Sequence, residues 1–141
     1  MRCQLIGCLL AAGIVSASSQ TANSTVGAWR GESKCVVTAS ACRDEDSLYR
    51  IAAIADSDTK LTLTADKIVD GKQVNMGTSE CAFSPDTRVL NCPLPNGSVV
   101  RFELKGDFLT GTMTLADGTE WRKIALRRVP AAPPKKRPLP S

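Results

Sequence analysis

The sequence contains no histidine, and this absence excludes several kinds of chemistry. Histidine is the commonest general base and the commonest metal ligand in proteins. Mechanisms that pair a serine or a cysteine with histidine are therefore impossible within this chain. The sequence also lacks a CxxC pair suited to zinc and a glycine-rich loop suited to phosphate. We expect a protein that is not an enzyme, with no catalytic residue, no bound metal and no cofactor.

Two acidic clusters are the remaining candidates for chemistry, Asp44-Glu45-Asp46 and Asp56-Ser57-Asp58. Paired carboxylates can hydrolyse glycosidic bonds, and clustered carboxylates can bind calcium. The ligand spacing of an EF-hand loop is missing from both. We therefore interpret both clusters as solvated loops.

Long apolar runs are missing too, except for residues 5–15. That run follows Arg2 and precedes small residues that end in Ala17. This layout is typical of a secretory signal peptide, which we assign to residues 1–17, with cleavage after Ala17. The run is too short for a membrane span, which takes about 20 apolar residues. Cys8 ends a lipobox-like tetrapeptide, but too few apolar residues precede it, so we reject a lipid anchor.

The cysteines that follow the predicted cleavage site are even in number: Cys35, Cys42, Cys81 and Cys92. In a short exported chain this indicates a disulfide framework, for which three pairings are possible. We favour two local bridges, Cys35 with Cys42 and Cys81 with Cys92, and crossed pairings stay open. A hairpin turn at Pro85-Asp86 would place Cys81 opposite Cys92 and Phe83 opposite Leu90. The expected location is periplasmic or secreted.

Charge is balanced over the body of the chain. The net charge of +4 is accounted for by Arg2 and by Lys135, Lys136 and Arg137 near the C-terminus. A nucleic-acid-binding domain would show a basic patch interleaved with aromatics, so we expect no nucleic-acid partner. The C-terminal charges lie among prolines, and we predict a disordered tail over residues 130–141. Residues 18–25 are small and polar and are predicted to be a flexible leader.

Residues 26–129 have the pattern of a single β domain. Asp70-Gly71, Asn96-Gly97 and Asp117-Gly118 are dipeptides that favour tight hairpin turns. Between the turns, apolar and polar residues alternate, as in sheets with one buried face. About eight or nine short strands with no helix to cover them must close on themselves or form a sandwich. We predict an all-β, up-and-down antiparallel barrel with two disulfides, and keep a two-sheet sandwich as the alternative.

The first and last predicted strands carry a recognisable pair of motifs, Gly27-Ala28-Trp29 and Arg127-Arg128. This pair resembles the calycin superfamily, the lipocalins and fatty-acid-binding proteins, in which an arginine of the last strand covers a tryptophan of the first. Alternation places Arg122 and Arg128 on the same side as the apolar residues of that strand. The resemblance therefore implies a structural contact of Arg128 with Trp29, a cation–π interaction.

Other segments resemble a group of small exported bacterial proteins of unassigned function. They are residues 27–32, 65–71 and 106–128. The calycin resemblance implies a non-enzymatic barrel that binds a small apolar or amphipathic ligand, although a calycin body usually runs longer than this one. The sequence does not indicate which residues would bind the ligand.

The alternative interpretation is a protein-binding module, for example an inhibitor of an envelope hydrolase. It would act through the loop between Cys35 and Cys42 and through the segment around Asp44. In both interpretations we expect a monomer with no transmembrane segment after cleavage.

Overall fold

The computed structural model describes residues 21–38, 41–131 and 139–140. The predicted signal peptide, residues 1–17, lies outside the described residues, as does most of the predicted tail, residues 130–141. In the described part of the chain, no helix has the length and hydropathy needed to cross a membrane.

Antiparallel strands make up most of the described structure, and they follow one another in chain order around a closed barrel. The eight strands are β1 Gly27–Cys35, β2 Glu45–Ala53, β3 Lys60–Val69, β4 Lys72–Ser84, β5 Val89–Pro93, β6 Val99–Lys105, β7 Phe108–Thr114 and β8 Glu120–Arg128. Each strand pairs with its neighbours in sequence, and β8 pairs with β1. The predicted up-and-down barrel is confirmed, and the sandwich is wrong.

The three Asx-Gly dipeptides form hairpin turns of two kinds. Asp70 (φ 51°) and Gly71 (φ 77°) both have positive φ, as a two-residue type I′ turn requires. In the β5–β6 and β7–β8 turns only Gly97 and Gly118 have positive φ. Each of these glycines donates its N–H to the carbonyl oxygen three residues earlier, on Leu94 or Leu115. These turns are therefore longer, with the glycine in the left-handed position that follows a type I turn.

Both predicted disulfides are present. Cys35 bonds to Cys42 with a Cα–Cα distance of 6.0 Å, and Cys81 bonds to Cys92 with a Cα–Cα distance of 4.3 Å. Phe83 lies opposite Leu90 in the β4–β5 register, as the sequence predicts. Disulfides form and persist in oxidising compartments, so this pair of bridges indicates a setting outside the cytoplasm.

The leader differs from its prediction over the residues that are described. Ala22–Thr25 form a turn of 3-10 helix, and Ala22 and Thr25 are buried. The reason is the indole of Trp29, whose N–H needs an acceptor once it is buried. That N–H donates to the carbonyl oxygen of Thr25 at 2.8 Å. The flexible leader predicted for residues 18–25 is therefore wrong for Ala22–Thr25, which packs on the barrel.

Candidate functional site

The two ends of the barrel are built differently. One, which we call the plugged end, is filled by Trp29, which is fully buried. The guanidinium carbon of Arg128 lies 4.3 Å from the centroid of the Trp29 ring. Arg128 also donates hydrogen bonds to the carbonyl oxygens of Ser24 and Val26 and to the carboxylate of Asp107. The structure thus brings together the two residues that the resemblance paired, as a closure rather than a ligand contact.

The other end, which we call the open end, carries the β1–β2, β3–β4, β5–β6 and β7–β8 connections. A cavity of about 470 Å³ lies there inside the barrel. Tyr49 lines it, and the Tyr49 ring meets Phe102 edge-on with ring centroids 5.9 Å apart. Pockets of about 300 to 1,000 Å³ are typical of small-molecule sites.

The cavity exists because inward-facing side chains become smaller toward the open end. Along β1 the inward positions change from Trp29 to Ser33, and along β3 they change from Leu61 to Ala65. Toward the plugged end, large side chains such as Phe102, Leu90 and Leu109 occupy the interior and are fully buried. Strand alternation fixes which residues point inward, and their sizes then decide where the interior is left empty.

One side of the cavity is polar. This polar wall comes from β1, β2 and β8 and consists of Ser33, Glu45, Ser47, Tyr49 and Arg122. The Arg122 side chain is 12% exposed and the Glu45 side chain 24%, and Arg122 Nη2 lies 3.4 Å from Glu45 Oε1. Arg122 Nη1 also donates to the carbonyl oxygen of Arg43 at 2.8 Å. The wall therefore holds one positive and one negative charge side by side, sheltered from solvent.

Tyr49 contributes a hydroxyl that stays protonated. Burial raises the pKa of Tyr49 above its ordinary value, and the negative charge of Glu45 raises that pKa further. The Tyr49 hydroxyl can therefore both donate and accept a hydrogen bond across the neutral pH range. Ser33 and Ser47 add two buried hydroxyls to the same wall.

Apolar side chains also line the cavity. This apolar wall consists of Leu63, Leu94, Val100 and Met113, and Thr78, Ser79 and Asn96 line the cavity as well. Met76 lies at the rim and is 54% exposed. A molecule in this cavity would contact both hydrocarbon and hydrogen-bonding groups.

Beside the cavity, the barrel is closed by only a few residue pairs between β4 and β5. We call this β4–β5 boundary the seam. β4 is 13 residues long, but only Ala82, Phe83 and Ser84 pair with β5. β5 ends at Pro93, which has no N–H to continue the ladder. Within the described residues, Lys72–Cys81 therefore has β3 on one side and no strand on the other. The cavity lies against this unpaired stretch and the β5–β6 turn.

A buried carboxylate holds the start of β4 in place. Asp66 is 3% exposed and accepts hydrogen bonds from Arg50 at 2.8 Å and from Asn75 at 2.9 Å. The Asn75 side chain in turn accepts the backbone N–H of Gly77, which has φ 125° at an irregularity of the β3–β4 ladder. This network fixes the part of β4 that borders the cavity.

The acidic cluster 44–46 is a solvated loop, as predicted, only at Asp44, which is exposed and precedes β2, whereas Glu45 and Asp46 belong to β2. Asp44 accepts the backbone N–H of Cys35 at 2.8 Å, Glu45 faces the cavity, and Asp46 pairs with Arg30 at 2.9 Å. Sequence reasoning placed Arg122 on the inward side of β8 without giving it a role, and it missed Asp66. Alternation from Ser47 and Tyr49 would have identified Glu45 as inward-facing.

A second hollow, of about 530 Å³, lies on the outer surface across β1, β6, β7 and β8. Its charged side chains are exposed and pair with one another, as Lys34 does with Glu32 at 3.3 Å. Exposed pairs of this kind contribute little free energy. The described residues contain no cluster of three or more metal-binding side chains. The open-end cavity is therefore the better candidate site.

No protein-family model matches the chain, and no curated protein matches it. The geometry of the cavity is therefore the basis for any functional proposal.

Proposed function

We propose that this protein is a non-enzymatic, lipocalin-like barrel, exported by a bacterium to the periplasm or the exterior, that binds a small apolar or amphipathic molecule. The observation that carries the proposal is the open-end cavity, which is lined by both apolar and polar side chains. Apolar surface supplies most of the free energy of binding in such sites, and a few polar groups fix orientation. The signal-like N-terminus and the two disulfides support the location.

The plugged end also supports this proposal. The contact of Arg128 with Trp29 closes one end of the barrel, so a ligand enters and leaves through the other. The resemblance to calycins rests on these same two residues. A common architecture does not by itself imply a common function, so binding must be measured directly.

The test is a titration of the oxidised mature protein with N-phenyl-1-naphthylamine, a neutral apolar probe that fluoresces when it is buried. We expect saturable binding of one probe per chain. The variant Ala65→Phe places a ring in the cavity and should abolish binding. The matched control Thr64→Phe adds the same ring to the neighbouring position, on the outer face, and should bind as the parent does. Equal binding by both variants, or no saturation by the parent, contradicts the proposal.

A second candidate function, a protein-binding module, is favoured by the unpaired stretch of β4. An exposed strand edge can accept an extended segment of a partner through backbone hydrogen bonds. The exposed side chains Val74 and Met76 lie on this stretch. Asp44 fixes the base of the loop between Cys35 and Cys42 at the same end of the barrel. The partner would be an envelope protein, such as a hydrolase that this chain inhibits.

Two variants separate the candidates. Thr78→Pro removes a backbone N–H from β4, whereas Ala65→Phe fills the cavity. If the protein is a binding module, an envelope partner recovered at one-to-one stoichiometry is lost with Thr78→Pro and kept with Ala65→Phe. The reverse result, or no stoichiometric partner, counts against this candidate.

A further inference from the structure

The polar wall has a charge arrangement that restricts the ligand. Arg122 and Glu45 carry opposite charges, and their nearest side-chain atoms are 3.4 Å apart. A ligand group close to one of them is close to the other. For an anion or a cation, the attraction and the repulsion are then comparable and largely cancel. The wall gives a charged ligand group little net attraction, while burial costs that group its hydration.

The hydrogen-bonding groups of the polar wall also favour an uncharged ligand group. The wall offers donors on Arg122, an acceptor on Glu45, and the hydroxyls of Ser33, Ser47 and Tyr49, which do both. A carboxylate can only accept hydrogen bonds, and an ammonium can only donate them. A hydroxyl or an amide can do both, so it can satisfy the wall without adding charge.

Other charged groups near this end do not change the balance. Asp66 also lines the cavity, and its charge is compensated by Arg50 at 2.8 Å and by a hydrogen bond from Asn75 at 2.9 Å. Lys67 lies opposite Ser47 in the β2–β3 register, beyond the cavity lining. Lys67 is therefore a rim charge whose effect can be measured separately.

We propose that the ligand is an amphiphile whose polar end is uncharged and bears hydroxyl or amide groups, and that Glu45 and Arg122 together set this specificity. The inference rests on the proposed function, because it names the ligand class for the same cavity. The uncharged end lies against the polar wall, and the hydrocarbon part lies against Leu63, Val100 and Met113.

The experiment compares three amphiphiles with the same 12-carbon chain, each below its micelle concentration: monolauroylglycerol, laurate and dodecylammonium. Each displaces N-phenyl-1-naphthylamine from the oxidised mature protein at neutral pH. We expect monolauroylglycerol to bind about tenfold more tightly than either ion, a difference of about one unit in log Kd. Laurate or dodecylammonium binding most tightly overturns this inference and leaves the proposed function standing. Failure of the probe and of all three amphiphiles to bind overturns both.

Variants of the wall test the role of each charge. Glu45→Gln removes the negative charge and should shift the preference toward laurate by about tenfold. Arg122→Gln should shift it toward dodecylammonium. Glu120→Gln, on an exposed side chain that pairs with Lys123, is the control and should leave the ranking unchanged. If Glu45→Gln leaves the ratio of laurate to monolauroylglycerol affinity unchanged, the assignment of specificity to the pair is overturned. The ranking measured with the unaltered protein decides the ligand class even if a variant does not fold.

Discussion

Replacing Trp29 with phenylalanine tests the closure of the plugged end. The indole is fully buried, and its N–H donates to the Thr25 carbonyl at 2.8 Å. Phenylalanine loses that hydrogen bond, which contributes about 1 kcal/mol to stability. It also leaves a void and weakens the contact with Arg128, and together these cost about another 1 to 2 kcal/mol. We therefore expect Trp29→Phe to lower the free energy of unfolding by about 2 to 3 kcal/mol.

The assay is equilibrium urea unfolding of the oxidised protein, followed by far-ultraviolet circular dichroism. The matched control is Trp121→Phe, because Trp121 lies at the open end and is partly exposed. A partly exposed residue should cost less than about 1 kcal/mol. The denaturant dependence of the free energy should be the same for both variants, because the surface exposed on unfolding hardly changes. A loss below about 1 kcal/mol for Trp29→Phe, or equal losses for the two variants, would refute the reasoning.

Three further predictions concern the open end and the seam. Tyr49 is the only tyrosine, so absorbance at 295 nm should show it ionising above the range of free tyrosine, and Glu45→Gln should lower that pKa in part. Because the folded-state pKa of Tyr49 is raised, the stability that its protonated hydroxyl contributes is present below the unfolded-state pKa and is lost as pH rises through the folded-state pKa. A Tyr49 pKa equal to that of free tyrosine would contradict this prediction. Replacing Cys81 and Cys92 together with alanine should lower the free energy of unfolding by about 2 to 3 kcal/mol in urea titrations, and an unchanged value contradicts this. Asp66→Ala should speed hydrogen exchange over residues 72–78, and exchange that stays at the parent rate there contradicts the role given to its two hydrogen bonds.

Local pattern was enough to predict the parts of the fold that depend on neighbouring residues. The turn between Phe83 and Leu90 fixed their register, and that register brought Cys81 opposite Cys92. Alternation along the last strand placed Arg128 inward, where it meets Trp29. In each case a short stretch of sequence determines the geometry.

The cavity could not be predicted in the same way. Its volume depends on how residues from seven strands and the β5–β6 turn meet inside the barrel, and local alternation does not specify strand tilt or stagger. Glu45 was misread because its acidic neighbours Asp44 and Asp46 are typical of a loop, although β2 already begins at Glu45. The 3-10 turn before β1 was missed because its small polar residues gain their order from Trp29, a partner outside the segment.

The short pairing of β4 with β5 makes the closed barrel depend on the disulfide between Cys81 and Cys92. Three residue pairs alone hold β4 and β5 together weakly. The disulfide between Cys81 and Cys92 lies directly beside these pairs and links the two strands covalently. Before that bridge forms, we expect β4 and β5 to separate readily, so that the hollow has no complete wall. Formation of the disulfide would then complete the cavity wall, and under the proposed function only the oxidised protein would bind a ligand. Faster hydrogen exchange across residues 89–93 in the reduced protein than in the oxidised protein would show that β4 and β5 separate when the disulfide is absent.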